Sequence, residues 1–366
     1  MMTFDGREYS HDAQGNMRGK TLPMRVKMAD GKVADSTGSF LVGELERLDL
    51  RLHEPLAAVT WGRDIDLRED VTIANEVSSF TLSTYGSAAG ANIGTSGVGI
   101  GNGKSWVGKD TTQITGISVD IAKIPHALRP WSMELKYTIL ELESSALVGR
   151  PIDQQKFFGM QLKHQMDIDE MVYYGDTEFA EYGVVNYNNS SANLGQVSNV
   201  ATVAVGATNA TQWVNKTPPE ILNDVNEILN NTWATSGWAF PPNRLLLPPA
   251  QYSYVSTQIV SAAGNVSILR YLLENNLLTS SGVAKLKIFP LKWLIGAGIG
   301  GTVGTLGTVD RMVAYTKDPE RLRYPMTLLQ RTPIQYDGIY HKSTYFCRLG
   351  VLEVVYPETV AYRDGI

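Results

Sequence analysis

A single cysteine, Cys347, stands in 366 residues, so no intrachain disulfide can staple this chain and a reducing compartment suits it best. Its neighbours Phe346 and Leu349 place the thiol on a buried strand. Long hydrophobic runs are missing too: no window of about 18 apolar residues offers a membrane-spanning helix. The opening stretch MMTFDGREYSHD lacks the basic segment and apolar run of a secretory signal, so a soluble chain made in the cytoplasm is expected. Positive charge is in deficit, with 32 Lys and Arg against 37 Asp and Glu and a net charge of -5. That balance excludes a protein that grips nucleic acid by neutralising phosphates over a broad surface. Histidine is scarce, and His11, His53, His126, His164 and His341 form no metal-ligand spacing. There is no G-x-S-x-G, Cys347 has no His or Asp beside it in sequence to mark a nucleophile, and no repeat of about 20 to 50 residues recurs. No catalytic constellation emerges.

What is present begins with a length and an apolar content of 43% that allow a large core divided into two lobes. Between Phe80 and Ile124 two arms show strand period. Phe80 and Leu82 alternate with Thr81 and Ser83 going out, and Ile117, Val119 and Ile121 alternate with Ser118, Asp120 and Ala122 coming back. Eight glycines fall between Gly86 and Gly108, leaving few side chains to build a core there. A connection so long and so poor in apolar groups is expected to lie on another surface. Lys104, Trp106 and Lys109 are expected to project from its tip toward a neighbouring molecule, the alternative being a solvated loop with one chance aromatic.

Residues 1–36 show no period and read as a flexible terminus or as an extended arm that orders against a partner. Leu41, Leu45, Leu48 and Leu52 have helical spacing, which predicts a short helix over 40–52 ended by Pro55. Beyond it, Trp61 with Ile65 can anchor an extended segment on another surface. A helix is predicted from Ser132 to Leu147, and a second, opened by Pro151, from Ile152 to Tyr174. The second carries Phe157, Met160, Gln161, His164, Ile168 and Met171 down one side. Loops and short strands follow over 187–216. Thr217 and Pro218 then open a helix through Ile221, Val225 and Leu229. Strands are predicted at Arg244–Leu247, 285–295, 312–316, 339–345 and 346–356, with helices at 252–260 and 266–278.

Three motifs invite chemistry and lack its context. Gly296-Ala-Gly298-Ile-Gly300-Gly301 matches a dinucleotide fingerprint, but Thr302 to Gly307 continues as loop where a helix must receive the pyrophosphate. Gly97 to Ser105 imitates a phosphate loop with Val98 where its first glycine belongs. His164, Asp167 and Glu170 share the spacing of metal ligands on a helix, but a single such turn is weak evidence, and a solvated face or an intersubunit salt bridge is the expected reading.

The segments Phe40-Leu-Val-Gly-Glu-Leu-Glu-Arg-Leu, Leu52-His-Glu-Pro-Leu, the glycine-rich hairpin, the long helix ending Tyr173-Tyr-Gly-Asp-Thr-Glu-Phe, and Tyr182-Gly-Val-Val-Asn186 together resemble tailed-phage major capsid proteins of the HK97-like fold. The likeness rests on element order over nearly the whole chain. It implies an α+β fold with an N-terminal arm (1–65), an extended β-hairpin or E-loop with its base (66–124), a peripheral lobe with a long spine helix (125–186), an axial lobe (187–309) and return strands of the peripheral lobe (310–366). It also implies self-assembly into pentamers and hexamers of an icosahedral shell that encloses double-stranded DNA, touched weakly and without sequence specificity. No catalysis, cofactor, metal or membrane is involved.

The partners implied are other copies of the chain, a portal, in some relatives a decoration protein, and a separate scaffolding protein, since no charged coiled coil precedes residue 40. The location implied is the virion, assembled in the host bacterial cytoplasm, with no N-terminal segment removed. Contributors to assembly are expected at Leu41, Leu45, Trp61 and Arg63 in the arm, Lys104, Trp106 and Lys109 in the hairpin, and Asp318, Glu320 and Arg321 near local three-fold positions. A closed shell needs contacts that tolerate different curvature, and the hairpin is expected to pivot at its base. The competing readings are an encapsulin-like compartment and a nucleotide-dependent enzyme using Gly296 to Gly301, which requires a βα unit there.

Overall fold

The computed structural model describes residues 55, 57–87, 109, 117–148, 152–187, 197–203, 211–260, 264–305 and 309–366, together with the backbone of short strands within 2–34 and at 92–93. The chain divides into two compact units, 1–56 and 57–366. In the first, Met2–Phe4, Arg7–His11 and Met17–Gly19 form an antiparallel sheet, and Val26–Lys27 pairs with Val33–Ala34. Strands this short leave no period to read in sequence, which is why 1–36 looked irregular. The helix expected over 40–52, with Leu41 and Leu45, lies outside the described residues.

The second unit is organised about one sheet of five strands, in the order Val197–Asn199, Val360–Asp364, Arg311–Tyr315, Arg244–Leu247, Lys287–Pro290. The two outer pairings are parallel and the two inner ones antiparallel. Its central strands are buried on both faces, so alternate side chains enter different cores. Val313 and Tyr315 join Leu246, Val360 and Tyr362 in a core that includes Ile168, Val172 and Tyr173. Met312 and Ala314 join Leu245, Leu247 and Ala361 in a second core built on Ile221, Val225, Ile228 and Leu229.

Helix Pro218–Thr235 supplies that second core. It starts where Thr217 N–H and hydroxyl both donate to Glu220 Oε2 (2.8 and 2.7 Å), as its T-x-x-E sequence predicts. Helix Ile152–Tyr173 supplies the first with Ile168, Val172 and Tyr173, and a third, smaller core with Met160, which packs with Leu135, Tyr137 and Tyr345. At about 1.5 Å per residue its 22 residues extend about 33 Å. Gly175 ends it at φ +75°, and a Cβ there would lie 2.3 Å from the Glu181 carbonyl oxygen.

The helix predicted from Ser132 to Leu147 is present from Ile139 on, and its first seven residues, 132–138, are strand. Arg129–Thr138 pairs antiparallel with Tyr340–Leu349, and the helix begins only at Ile139, ending at Val148. Trp131, Met133, Leu135 and Tyr137 face the protein while Ser132, Glu134 and Lys136 are exposed; that period of two outweighs the proline and serine that mimic a helix start. The true start is a capping box: Thr138 N–H donates to Glu141 Oε2 (3.0 Å) and Glu141 N–H to Thr138 Oγ1 (3.1 Å). The two strands predicted over 339–356 are likewise one long strand, Tyr340–Leu349, followed by the short Glu353–Val354. The latter joins Leu322–Pro325 and Asp66–Arg68 in a three-stranded sheet.

Candidate assembly interface

The hairpin predicted from sequence is present as a two-stranded ribbon to which the short strand Asn92–Ile93 adds at Tyr85 and Gly86. Val77–Ser87 pairs antiparallel with Ile117–Ala127 in unbroken register, from Val77 opposite Ala127 to Ser87 opposite Ile117. Eleven residues per strand at about 3.3 Å each give a ribbon about 36 Å long. Alternation sends Ser78, Phe80, Leu82, Ile124 and His126 to one face, where Ser78 and Phe80 are buried and the Phe80 ring stacks on His126 at 5.7 Å. The opposite face carries Tyr85 and Val119, directly paired, with Ile117 and Ile121 on either side. These are 45%, 55%, 69% and 67% exposed, respectively. The apolar stripe therefore points away from the face by which the ribbon joins its own subunit, and such a stripe marks an interaction surface. Of the three residues expected at the tip, Lys109 is exposed, while Lys104 and Trp106 lie outside the described residues.

The ribbon's root is bonded to the body of its own unit through side chains. Ser78 hydroxyl donates to the fully buried Glu353 carboxylate, which also takes Arg68 (3.2 Å) and Arg323 (2.7 Å). Arg348 donates to the carbonyls of Ile73 (2.7 Å) and Leu128 (3.3 Å), one on each side of the ribbon.

Trp61 and Arg63 are engaged by their own chain. Asp169 on the long helix accepts from Thr60 N–H (2.8 Å) and Trp61 N–H (3.1 Å), and the Trp61 indole donates to Gln165 (2.9 Å). Arg63 pairs with buried Asp64 (2.7 Å), donates to Pro290 carbonyl (3.1 Å) and lies 4.5 Å over the Phe289 ring. Tyr173 also donates to Asp64, at 2.5 Å; burial and the Asp64 charge push its pKa far up. Residues 57–65, read from sequence as the end of the arm, thus pack within the second unit. Asp318 and Arg321 form an ion pair, and Asp318 accepts from Glu320 N–H (2.9 Å). The Arg321 guanidinium lies 3.7 Å from the Phe240 ring centre, and Glu320 is exposed. The trio is one turn, with two of its members turned inward to their own subunit.

The dinucleotide-like glycines bind carboxylates of their own chain. Gly296 N–H donates to Asp310 (2.8 Å) and Ile299 N–H to Asp364 (2.9 Å), so side chains occupy the positions that phosphate oxygens would need. A Cβ at Gly298 would meet Val309 Cγ1 at 2.6 Å, which accounts for that glycine by packing. Among the described residues the segment turns and leads to strand Arg311–Tyr315 without a helix, so they form no βα unit of the kind a nucleotide enzyme requires. The Gly97 to Ser105 motif lies outside the described residues.

The fold brings Cys347 a histidine that its sequence neighbours do not supply. His164 Nε2 lies 3.3 Å from Cys347 Sγ, and its ring meets Trp131 edge-on at 4.7 Å. Burial pushes the thiol up to about 12, so it stays protonated and unreactive at neutral pH. Asp167 is taken by the Trp131 indole (2.9 Å) and Lys163, and Glu170 is exposed; among the described residues no cluster suits a metal ion and no helix is long and apolar enough to cross a membrane. Burial lowers the pKa of both His164 and His126 below the ordinary 6.5. Below about pH 6.5 the unfolded chain then binds protons that the folded chain does not, so stability must fall with falling pH and level off above. Urea midpoints should decline between about pH 7 and 5, and His164→Gln should flatten part of that slope.

Sequence reasoning found the ribbon but missed Tyr85 on its stripe and Glu353 at its root. Tyr85 is in phase with Ser83 and Thr81 and was masked by their polarity. Glu353 stands alone in Val351-Leu-Glu-Val-Val355, and a lone acid inside an apolar strand is the available signal for a buried partner.

A family model described as major capsid protein matches residues 103–366. No curated protein matches the chain. Among solved structures, the capsid of Myoviridae phage XM1 aligns with a TM-score of 0.64 at 16% identity, covering 88% of this chain and 98% of that one. The capsid of a native GTA particle aligns at 0.56 and 12% identity, covering 90% and 97%. The capsid of cyanophage P-SCSP1u aligns at 0.54 and 10%, covering 94% and 98%. At these identities the structural likeness speaks for the fold.

Proposed function

The chain belongs to the major capsid protein family and is a structural subunit of a phage-type icosahedral capsid with the HK97-like fold, and from that premise we propose that its ribbon is the assembly element, laid across a neighbouring copy. The observation that carries this is the direction of the Tyr85, Ile117, Val119 and Ile121 stripe, which faces away from its own subunit. At about 25 cal/mol per Å² such side chains gain most when a second surface covers them. Repeated around a ring, one ribbon on the next subunit is a heterologous contact that closes into pentamers and hexamers. Lys104, Trp106 and Lys109 extend the contact at the tip, Leu41 and Leu45 serve the arm, Trp61 and Arg63 anchor its end to their own subunit, and the turn of Asp318, Glu320 and Arg321 serves local three-fold contacts.

In this reading residues 1–65 act as arm, 66–124 as E-loop and base, 125–186 and 310–366 as peripheral lobe, and 187–309 as axial lobe. The subunit performs no catalysis. It assembles in the host cytoplasm with a scaffolding protein and a portal, leaves room for a decoration protein, and encloses double-stranded DNA that its acidic surface holds weakly. Expansion of the precursor shell shifts ribbon and arm against their neighbours and buries more surface.

Val119→Asp and Ile121→Asp should leave the melting temperature of the subunit nearly unchanged, since both sites are exposed. They should cut the yield of shells at least about tenfold, whereas Thr84→Asp on the opposite face assembles nearly normally. Equal assembly by all three variants would remove the stripe from the interface.

A further inference from the structure

We propose that Glu353 is a fixed joint that makes the ribbon's root one body with the three-stranded sheet, confining the ribbon's bending to its outer half, beyond Leu82 and Ala122. What this does for a shell rests on the assembly reading above; the joint itself is a property of the subunit. Glu353 sits on the short strand Glu353–Val354, paired to Leu322–Pro325, which in turn pairs with Asp66–Arg68. Its carboxylate draws a donor from each of the other two strands of the sheet, Arg323 and Arg68, and a third from the ribbon, the Ser78 hydroxyl. Arg68 reaches over as well, donating to Ser78 Oγ (3.0 Å) and the Ser79 carbonyl (3.2 Å). Charge-assisted bonds of this kind are short and directional, and a carboxylate with no exposure cannot exchange them for water without the whole group opening.

Arg348 supplies the second point of attachment. By holding the carbonyls of Ile73 and Leu128 it grips the chain as it enters and as it leaves the ribbon, and Leu128 N–H closes the base on the Glu76 carbonyl (2.9 Å). Gly350 lets these layers approach, since a Cβ there would meet Pro325 Cγ at 2.6 Å and Leu128 Cδ2 at 2.9 Å. Farther out the situation reverses. Side chains from Ser83 to Tyr85 and from Ile117 to Lys123 are all exposed, and the strand added there, Asn92–Ile93 opposite Tyr85 and Gly86, has two residues, so bending there opens no buried side-chain contact. A subunit that meets neighbours at different curvature therefore deforms in the outer ribbon, and the angle at which the ribbon leaves the body stays constant.

Hydrogen exchange of the full-length, unassembled chain tests this. In the unsubstituted protein, amides of 77–82 and 122–127 should exchange at least about tenfold more slowly than those of 83–87 and 117–121. Glu353→Gln should accelerate the root amides about tenfold while those of helix Ile152–Tyr173 stay unchanged, and Ser78→Ala should give a smaller acceleration confined to the ribbon. Even protection from root to Ser87, or root exchange unchanged in both variants, would overturn the joint. If Glu353→Gln loosens the whole fold, Ser78→Ala decides, and no local change there counts against the proposal. Exchange in the free subunit does not depend on shells, so a negative result leaves the capsid assignment standing, and a failure to form shells leaves the joint standing.

Discussion

Asp364→Ala is expected to destabilise the subunit by about 3–5 kcal/mol, because it strands a buried guanidinium. Arg311 and Asp364 are 2% and 1% exposed and meet through two bonds of 2.7 and 2.9 Å. The pair crosses two adjacent strands of the central sheet, where Arg311 lies opposite Asp364 in register. Arg311 also donates to the Val185 carbonyl (2.8 Å), and Asp364 also accepts from Ile299 N–H (2.9 Å). Removing the carboxylate thus leaves a cation in a dry interior and takes from the glycine-rich turn the acceptor of Ile299 N–H. Against a total stability of about 5–15 kcal/mol for a typical domain, that loss is severe. Replacing both partners together by Met and Leu should recover much of it, since apolar groups of similar volume need no counter-charge. Urea unfolding of the single and double variants checks both statements.

Deleting residues 88–110 should have the opposite signature, a stable subunit that does not build stable shells. Ser87 lies opposite Ile117 in the ribbon, so residues 111–116 suffice to close the shortened hairpin. Among the described residues the three hydrophobic clusters of the second unit are composed elsewhere, so the melting temperature should change by no more than a few degrees. The deleted stretch contains Lys104, Trp106 and Lys109, and its loss should reduce intact particles below detection by electron microscopy. An unfolded deletion variant would show that the hairpin belongs to the subunit's own core.

Much of this architecture is legible in the chain because its signals are local. Alternation at Ile117, Val119 and Ile121 announces the ribbon, Pro248 bounds the strand Arg244–Leu247, and the Thr217 to Glu220 capping box opens its helix. Arg129–Thr138 was harder, since a proline, a serine and a distant glycine punctuate it like a helix while the alternation of Trp131, Met133, Leu135 and Tyr137 is spread over mixed polar neighbours. The ribbon's joint is out of reach of local pattern altogether. Ser78 and Glu353 are separated by 275 positions, and His164 and Cys347 by 183; only the fold brings them together. Trp61 and Arg63 show the converse. Their composition suits an interface, yet Asp169, Gln165 and Asp64 already engage them within the subunit.

The most direct measurement is a cryo-electron microscopy map of shells formed by the intact chain, resolved well enough to trace 77–127 in each subunit. The account predicts that every ribbon crosses to an adjacent copy with Tyr85, Val119 and Ile121 covered by that copy, while the root at Ser78 and Glu353 keeps one geometry in pentamers and hexamers. A ribbon folded back onto its own subunit, or a stripe left facing solvent, would contradict it.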